Sequence, residues 1–407
     1  MEQVLDGAGI ERLEEYFDEI GEVLGDKRRR ASFAMYAMGL FGDGERKSVE
    51  PIAARACGAP GETERAHDRL LHFMTDSKWS DREVRSTAVD HGLAAMTARE
   101  PVLAWIIDDT GQIKQGTHSV GVQRQYTGTA GKITNCQIAV SLSITTKTEH
   151  LPVDFELYLP KTWIKDAARR QEARIPDDIE FRTKPELAIE MIKRAVADER
   201  PPGVVLADSA YGDSSEFREQ IRLLNLDYAV GVHATTKVWL VDRFGRRRGD
   251  PISVKKLAQR MGRKKFRSVI WRDGTRGPLW SRFARMRVVV EHDDGWDPKV
   301  REDLWLLIEW PDNEREPTKY TLSSLPRAVS TKRLVRIVKE RYRTERMYED
   351  IKGELGFDHY EGRRFPGWHH HVSVVLCCFA FIVAERVRRF PPSYRRQARA
   401  DAQSLAA

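Results

Sequence analysis

The chain has 407 residues, 41% hydrophobic and 32% charged, with a net charge of +7, which suits two or three packed domains under a soluble surface. No apolar run approaches the roughly 18 to 20 residues of a spanning helix, the best being the buried-looking Val372 to Ala384, and the acidic start Met1–Asp6 lacks the parts of a signal peptide. Cys57, Cys136, Cys377 and Cys378 have neither zinc spacing nor a disulfide framework, so a reduced cytoplasm without membrane contact is expected.

Residues 1–100 read as a helical N-terminal domain, with apolar residues at helical spacing in Ile10–Phe17 and further helices over 27–40, 61–75 and 80–97. Such a domain can bind DNA or simply pack. From 101 the texture changes to strands. Val102–Ile107 is a short apolar run between Pro101 and Asp108-Asp109-Thr110-Gly111, the pattern of a strand covered on both faces that ends on a carboxylate. A meander follows over 119–126, 136–145 and 151–159. After a helix at 186–197, a second apolar strand, Gly203–Ala207, also stops on one aspartate, Asp208, and Ser214 or Ser215 caps the next helix.

Residues 233–325 read as a basic, Trp-rich β insertion between two parts of a core, 101–232 and 326–390. Over 236–290 there are 17 Lys and Arg against 3 Asp and Glu, a local excess twice the net charge of the chain. A field concentrated in this way favours a polyanion. Six of the ten tryptophans fall in 233–325: Trp239, Trp271, Trp280, Trp296, Trp305 and Trp310. Trp305 and Trp310 are expected in the core. Trp271 and Trp280, beside Lys264 and Lys265, are the nucleic-acid candidates, since aromatic rings among cations stack on unpaired bases.

The C-terminal part reads as two helices. In the first, Lys332–Leu355, the spacing of Arg341, Glu345, Glu349 and Lys352 puts them on one stripe. The second, from Trp368, begins with His369-His370-His371, which point about 100° apart and cannot chelate one ion together. They are expected to pack near the acidic site or near phosphate. The tail 391–407 is expected to be disordered. Two strand-end aspartates with a helical glutamate form a hard-oxygen set suited to Mg²⁺ or Mn²⁺, the chemistry of phosphodiester cleavage.

These stretches together resemble the bacterial insertion-sequence transposases of the DDE class. The resemblance spans roughly residues 100–390 and rests on four motifs: Asp108-Asp109-Thr110; Gly116–Val122 with Gln125-Tyr126; Leu206–Gly212; and Arg341–Lys352 running into Glu354–Arg363. It implies an RNase H-like mixed α/β sheet flanked by helices, metal-dependent cutting of element ends in double-stranded DNA, and joining of those ends to target DNA by a homo-oligomer. It implies a metal set of Asp108, Asp208 and Glu345, holding two ions, with Glu349 the rival third acid. Placing the glutamate at Glu345 keeps Arg341 and Lys352 at the family's basic positions and leaves only Val338 in place of its tyrosine. Arg341, Lys352, Arg363 and Arg364 become phosphate contacts, and the enzyme works in the cytoplasm on the nucleoid. A related DNA resolvase or a decayed, non-cutting DNA-binding regulator are the alternatives. A haloacid-dehalogenase phosphatase is excluded because its Asp-x-Asp motif meets Thr110.

Overall fold

The computed structural model describes residues 7–242, 244–274, 277–291 and 303–389; the expected disordered tail and Trp296 lie outside them. Five helices come first: α1 (Gly7–Leu24), α2 (Lys27–Phe41), α3 (Val49–Ala56), α4 (Pro60–Thr75) and α5 (Asp81–Thr97). Then follow β1 (Ala104–Ile113), β2 (Gln123–Thr127), β3 (Lys132–Thr145), β4 (His150–Tyr158), α6 (Lys161–Ile164), α7 (Ala167–Ala173) and α8 (Lys184–Ala197). The middle of the chain holds β5 (Val204–Ala207), α9 (Ser209–Gly212), α10 (Ser215–Leu223), β6 (Tyr228–Val232), β7 (Lys237–Val241), β8 (Arg247–Ser253) and α11 (Val254–Met261). The last elements are β9 (Arg267–Gly274), β10 (Gly277–Val290), β11 (Leu304–Trp310), β12 (Lys319–Ser323), α12 (Thr331–Lys339), α13 (Tyr342–Gly353) and α14 (Phe365–Arg389). The α/β class and the strand at 204–207 are as the sequence implies, but the first strand does not stop at Asp108: β1 continues through Asp109-Thr110-Gly111 to Ile113, where the sequence implies a turn.

Two compact units divide these elements, and the division falls inside β1, between Asp108 and Asp109, and inside α13, between Thr344 and Glu345. Unit 1 contains residues to 101, 109–182 and 345 onward. Its centre is α14, which is long and apolar enough to cross a membrane by length and composition, yet 83% of that stretch is buried inside the protein. Helices α2, α4 and α5 pack against it, as does β4. The N-terminal helices are thus built into unit 1 around α14, where the sequence marks them off as a domain of their own.

The buried guanidinium of this core is matched. Arg85 of α5 reaches Asp81 at 2.6 Å, Asp154 at 3.3 Å and the Ser373 hydroxyl at 2.9 Å. A buried guanidinium needs such partners because its charge would otherwise be stripped of water without compensation. The three histidines lie here too, which corrects their expected place near acid or phosphate. His370 stacks on Trp79 with ring centroids 3.8 Å apart and faces the Met74 carbonyl, while His371 meets the Tyr36 hydroxyl at 2.9 Å. Burial lowers the His369 pKa to about 4 and that of His371 to about 3, so both are neutral.

Unit 2 contains 102–108 and 183–344. It is a mixed sheet in the order β1-β5-β6-β12-β11-β10-β7-β8, with β9 paired to β10. Strands β1, β5 and β6 are parallel, and the pairs from β6·β12 outward are antiparallel. The basic stretch is β-rich as expected, but it prolongs this sheet: Tyr320–Ser323 of β12 pair directly with Ala229–Val232 of β6. Ile106, Leu206, Ala229, Phe283, Leu307, Leu334 and Val335 form one core cluster, which places α12 on the sheet.

The expected helix 332–355 is interrupted. Its helical hydrogen bonding tightens to i→i+3 at Glu340 N–H to Ile337, Arg343 N–H to Glu340 and Thr344 N–H to Arg341, which ends α12 before Arg341 and restarts the chain as α13. Arg341 therefore sits in a turn and does not share a helical stripe with Glu345.

Candidate active site and nucleic-acid contacts

Asp108 and Asp208 stand at equivalent places on neighbouring parallel strands. Ile106 of β1 is level with Leu206 of β5, and each aspartate follows two residues later, on the side chains' period-two face. Parallel strands about 4.8 Å apart bring two such carboxylates to one rim of the sheet. Both lie just past the carboxyl end of the β1·β5 pairing, where open α/β sheets bind ligands, although β1 itself runs on to Ile113.

Local chemistry fixes each acid. Asp208 is the N-cap of α9, its Oδ1 accepting the Ala210 N–H at 2.9 Å. The turn after it fits only because two glycines meet: a Cβ on Gly212 would lie 2.0 Å from the Gly231 carbonyl oxygen. Tyr211 between them is fully buried. Asp108 has a side chain only 15% exposed, and its Oδ2 accepts from Arg341 Nη1 at 2.8 Å. The cation that this carboxylate meets is therefore the guanidinium that the helix break delivers.

The pair supplies hard oxygen donors of the kind that Mg²⁺ and Mn²⁺ prefer. Among the described residues no group of three or more His, Cys, Asp and Glu gathers as a complete metal site. The donor set is thus compatible with a divalent ion but partial. Glu345 belongs to unit 1, in the first turn of α13, and is exposed. Met347, Tyr348 and Ile351 form the buried face of that helix, so Glu345, Glu349 and Lys352 lie on the other side. Glu349 is exposed and lies 3.5 Å from Arg346.

The expected phosphate contacts divide into engaged and open side chains. Lys352 Nζ donates to the Gly111 carbonyl at 2.9 Å and to Thr129 Oγ1 at 3.2 Å, and burial lowers its pKa. It pins α13 to the second half of β1, just past Asp109-Thr110. Arg364 pairs with Asp76 at 2.8 Å, a carboxylate that Arg174 shares. Arg363, by contrast, is exposed, and so are Lys264 and Lys265 on the 3-10 turn after α11.

Trp271 and Trp280 part company. Trp271 packs on the core of unit 2, edge-on to Phe283 at 6.0 Å, with Lys339 Nζ 4.3 Å from its ring. Across the β9·β10 ladder the other indole is presented differently: Trp280 is 44% exposed and pairs with Ile270, itself exposed. The β-bulge between Leu279 and Trp280 changes the register there and accompanies the difference. Trp310 is buried as expected, edge-on to Phe266, whereas Trp305 is half-buried against the core cluster, with Arg285 and Arg287 at 4.1 and 4.9 Å from its ring.

Comparison with known proteins decides the family. Residues 19–278 match the family described as DDE superfamily endonuclease, which is more than half of the chain. This chain belongs to the DDE superfamily endonucleases. Residues 183–381 of this DDE-family chain also match the transposase DDE domain. A "Probable transposase for insertion sequence element IS701" of Microchaete diplosiphon is 29% identical over 235 residues, which is 58% of this chain and 57% of the relative. The match thus spans little more than half of that relative's length. The mixed sheet with flanking helices agrees with the RNase H-like fold of the DDE endonucleases, families that generally depend on divalent metal.

The sequence reading of this DDE endonuclease missed Arg124, Arg169 and Trp163. In unit 1 they line a groove of about 710 Å³ together with Arg363. Single arginines on a short strand and a short helix carry no spacing signal, so nothing in the sequence pointed to them.

Proposed function

We propose that this chain is a DNA transposase that cuts the ends of an insertion sequence and joins them to target DNA, acting in the cytoplasm on the nucleoid as a homo-oligomer on paired ends. The observation that carries the proposal is the level placement of Asp108, within β1, and Asp208, just past β5, two residues beyond the last paired residues of these adjacent parallel strands. Family membership supports it, and so does the name of the relative. Mg²⁺ or Mn²⁺, as two ions, would supply activation of the attacking oxygen and neutralisation of the leaving one. Asp108 and Asp208 would hold the divalent charge, with Glu345 the third acid by motif. Water breaks the phosphodiester at the element's end and frees a 3′-hydroxyl. That hydroxyl then attacks a target phosphorus, forming one P–O bond as another breaks.

Arg341 is positioned to balance Asp108 before the divalent charge arrives. Lys264, Lys265 and Arg363 take phosphates, and Trp280 takes a base, being the indole of the hairpin that the core leaves open. Cleavage of a labelled duplex carrying the element's ends, with Mg²⁺ or Mn²⁺ and with EDTA, tests the reading. Metal-dependent cutting at the boundary that Glu345→Ala abolishes and Glu349→Ala retains is expected. Binding without cutting under every metal condition defeats the transposase reading in favour of a DNA-binding regulator, and cutting by Glu345→Ala moves the third acid to Glu349.

A further inference from the structure

The groove of about 710 Å³ in unit 1 is built from the chain before β2, the start of β2, α6, α7 and the segment ahead of α14. It is strongly biased in charge. Three guanidiniums, of Arg124, Arg169 and Arg363, line the groove with one carboxylate, that of Glu172, which lies 3.4 Å from His118 Nδ1. Among the described residues neither Arg124 nor Arg363 has a carboxylate within ion-pair distance.

The lining is held in place from beneath. Trp163 is buried, donates its indole N–H to the Val122 carbonyl at 2.8 Å, and carries the Arg169 guanidinium 3.7 Å above its ring. Arg169 Nη2 also donates to the Thr117 carbonyl at 2.9 Å. Asn135, level with Arg124 across the β2·β3 ladder, donates to the carbonyls of Lys114 and Gly116 and so fixes the approach to the groove. The Val120 N–H donates to the Arg363 carbonyl at 3.2 Å, which ties the third arginine to the same wall.

We propose that this groove seats the sugar-phosphate backbone of DNA without regard to sequence, with Arg124, Arg169 and Arg363 holding phosphate oxygens. Guanidinium forks match phosphate oxygens in pairs, which favours phosphate over other anions. The indole lining the groove is covered by Arg169 and offers no face for a base, so the contact is to backbone and carries no sequence information. The proposal rests on the DNA-cutting reading and deepens it: strand holding falls to residues outside both the acid pair and the basic stretch 236–290. Such a seat serves target or flanking DNA, whose sequence varies from one event to the next.

The test measures binding of the full chain to two short labelled duplexes, one with the element's end and one scrambled, over a series of salt concentrations. Removing one phosphate-binding cation lowers the slope of log affinity on log salt by about 0.9, so Arg124→Gln with Arg363→Gln is expected to lower it by about 2 on both duplexes. Arg124→Lys with Arg363→Lys keeps the slope, and Arg65→Gln, an exposed charge removed from α4, leaves it as in the wild type. A slope unchanged in the double Gln variant overturns the proposal, as does an equal fall in Arg65→Gln or a weakening confined to the element-end duplex. Metal-dependent cutting by the wild type is scored in parallel: a protein that cuts but keeps its slope in the double variant sinks the groove alone, whereas one that never cuts sinks the transposase reading.

Discussion

The strand ends of unit 2 and the centre of unit 1 both collect titratable side chains, and they treat them in opposite ways. At the rim, Asp108 and Asp208 remain partly accessible, held by one guanidinium and one backbone N–H. Around α14, His369 and His371 are buried and driven neutral, and the charges that remain, such as Arg85 and Asp154, are spent on each other. A carboxylate at a sheet edge can exchange its partner for a bound cation, whereas a group inside a packed helix bundle cannot change charge without breaking the fold. Accessible charge on a rigid strand end is chemistry; enclosed charge is architecture.

The largest expected effect breaks the first half of that comparison. Asp208→Ala should abolish cleavage while sparing DNA affinity and lowering stability only by the lost N-cap of α9, about 1 kcal/mol; a measured rate near wild type would remove Asp208 from the active site. In unit 1 the equivalent deletion is structural. Arg85→Ala leaves Asp81 and Asp154 enclosed without their cation and should cost about 3–5 kcal/mol in urea unfolding, the range for half of a buried pair.

A pH series sharpens the contrast. The folded pKa values of His369 and His371, about 4 and about 3, lie below the unfolded value of about 6.5. The unfolded chain therefore binds more protons in that window, so stability is full above pH 6.5 and falls as the pH drops toward 4. His369 faces Asp81, Arg85, Asp154 and His370, and the Asp81 carboxyl, which burial pushes up and the Arg85 guanidinium holds down to about 2, keeps its charge throughout that window. Melting temperature measured from pH 7.5 to pH 4.5 should decline, and His371→Gln should flatten the decline.

The smallest effect separates the two tryptophans. Trp280→Ala should leave unfolding unchanged and weaken binding of DNA with unpaired bases by about 1–3 kcal/mol, the worth of one stacked base. Trp271→Ala should do the reverse, destabilising the fold through the cavity it leaves against Phe283 and Lys339.

Much of this was legible in the residues. The apolar runs at 102–107 and 203–207, each stopped by an aspartate, specify buried parallel strands because no amphipathic alternation is present to suggest a solvated face. Ser214 is the N-cap that its residue type implies, accepting the Phe217 N–H at 3.1 Å. The break at Arg341 was not legible, since the helical periodicity runs through it and only tertiary packing of α12 on the sheet and of Met347 and Ile351 elsewhere pulls the two halves apart. Trp271 misled for a similar reason. Alternation along β9 says that one face is buried and one open, but the register shift leaves Trp271 as the extra, unpaired residue of the ladder, which alternation does not reveal. The three consecutive histidines look like ligands or phosphate contacts in a sequence, and only the surrounding helices reveal that each has a local partner.

The crossing of the chain between units within β1 and α13 bears on how the protein is made. Helices α2, α4 and α5 emerge early from the ribosome, yet the helix they enclose is α14, more than half the chain later. At about 5–20 residues per second, synthesis from the end of α5 to the start of α14 takes on the order of ten seconds to a minute. During that interval the faces of α2, α4 and α5 that pack on α14 have no α14 to cover them. The nascent chain is therefore a client for holding chaperones until its last helix is translated, and output of finished protein is set by how long that wait is survived.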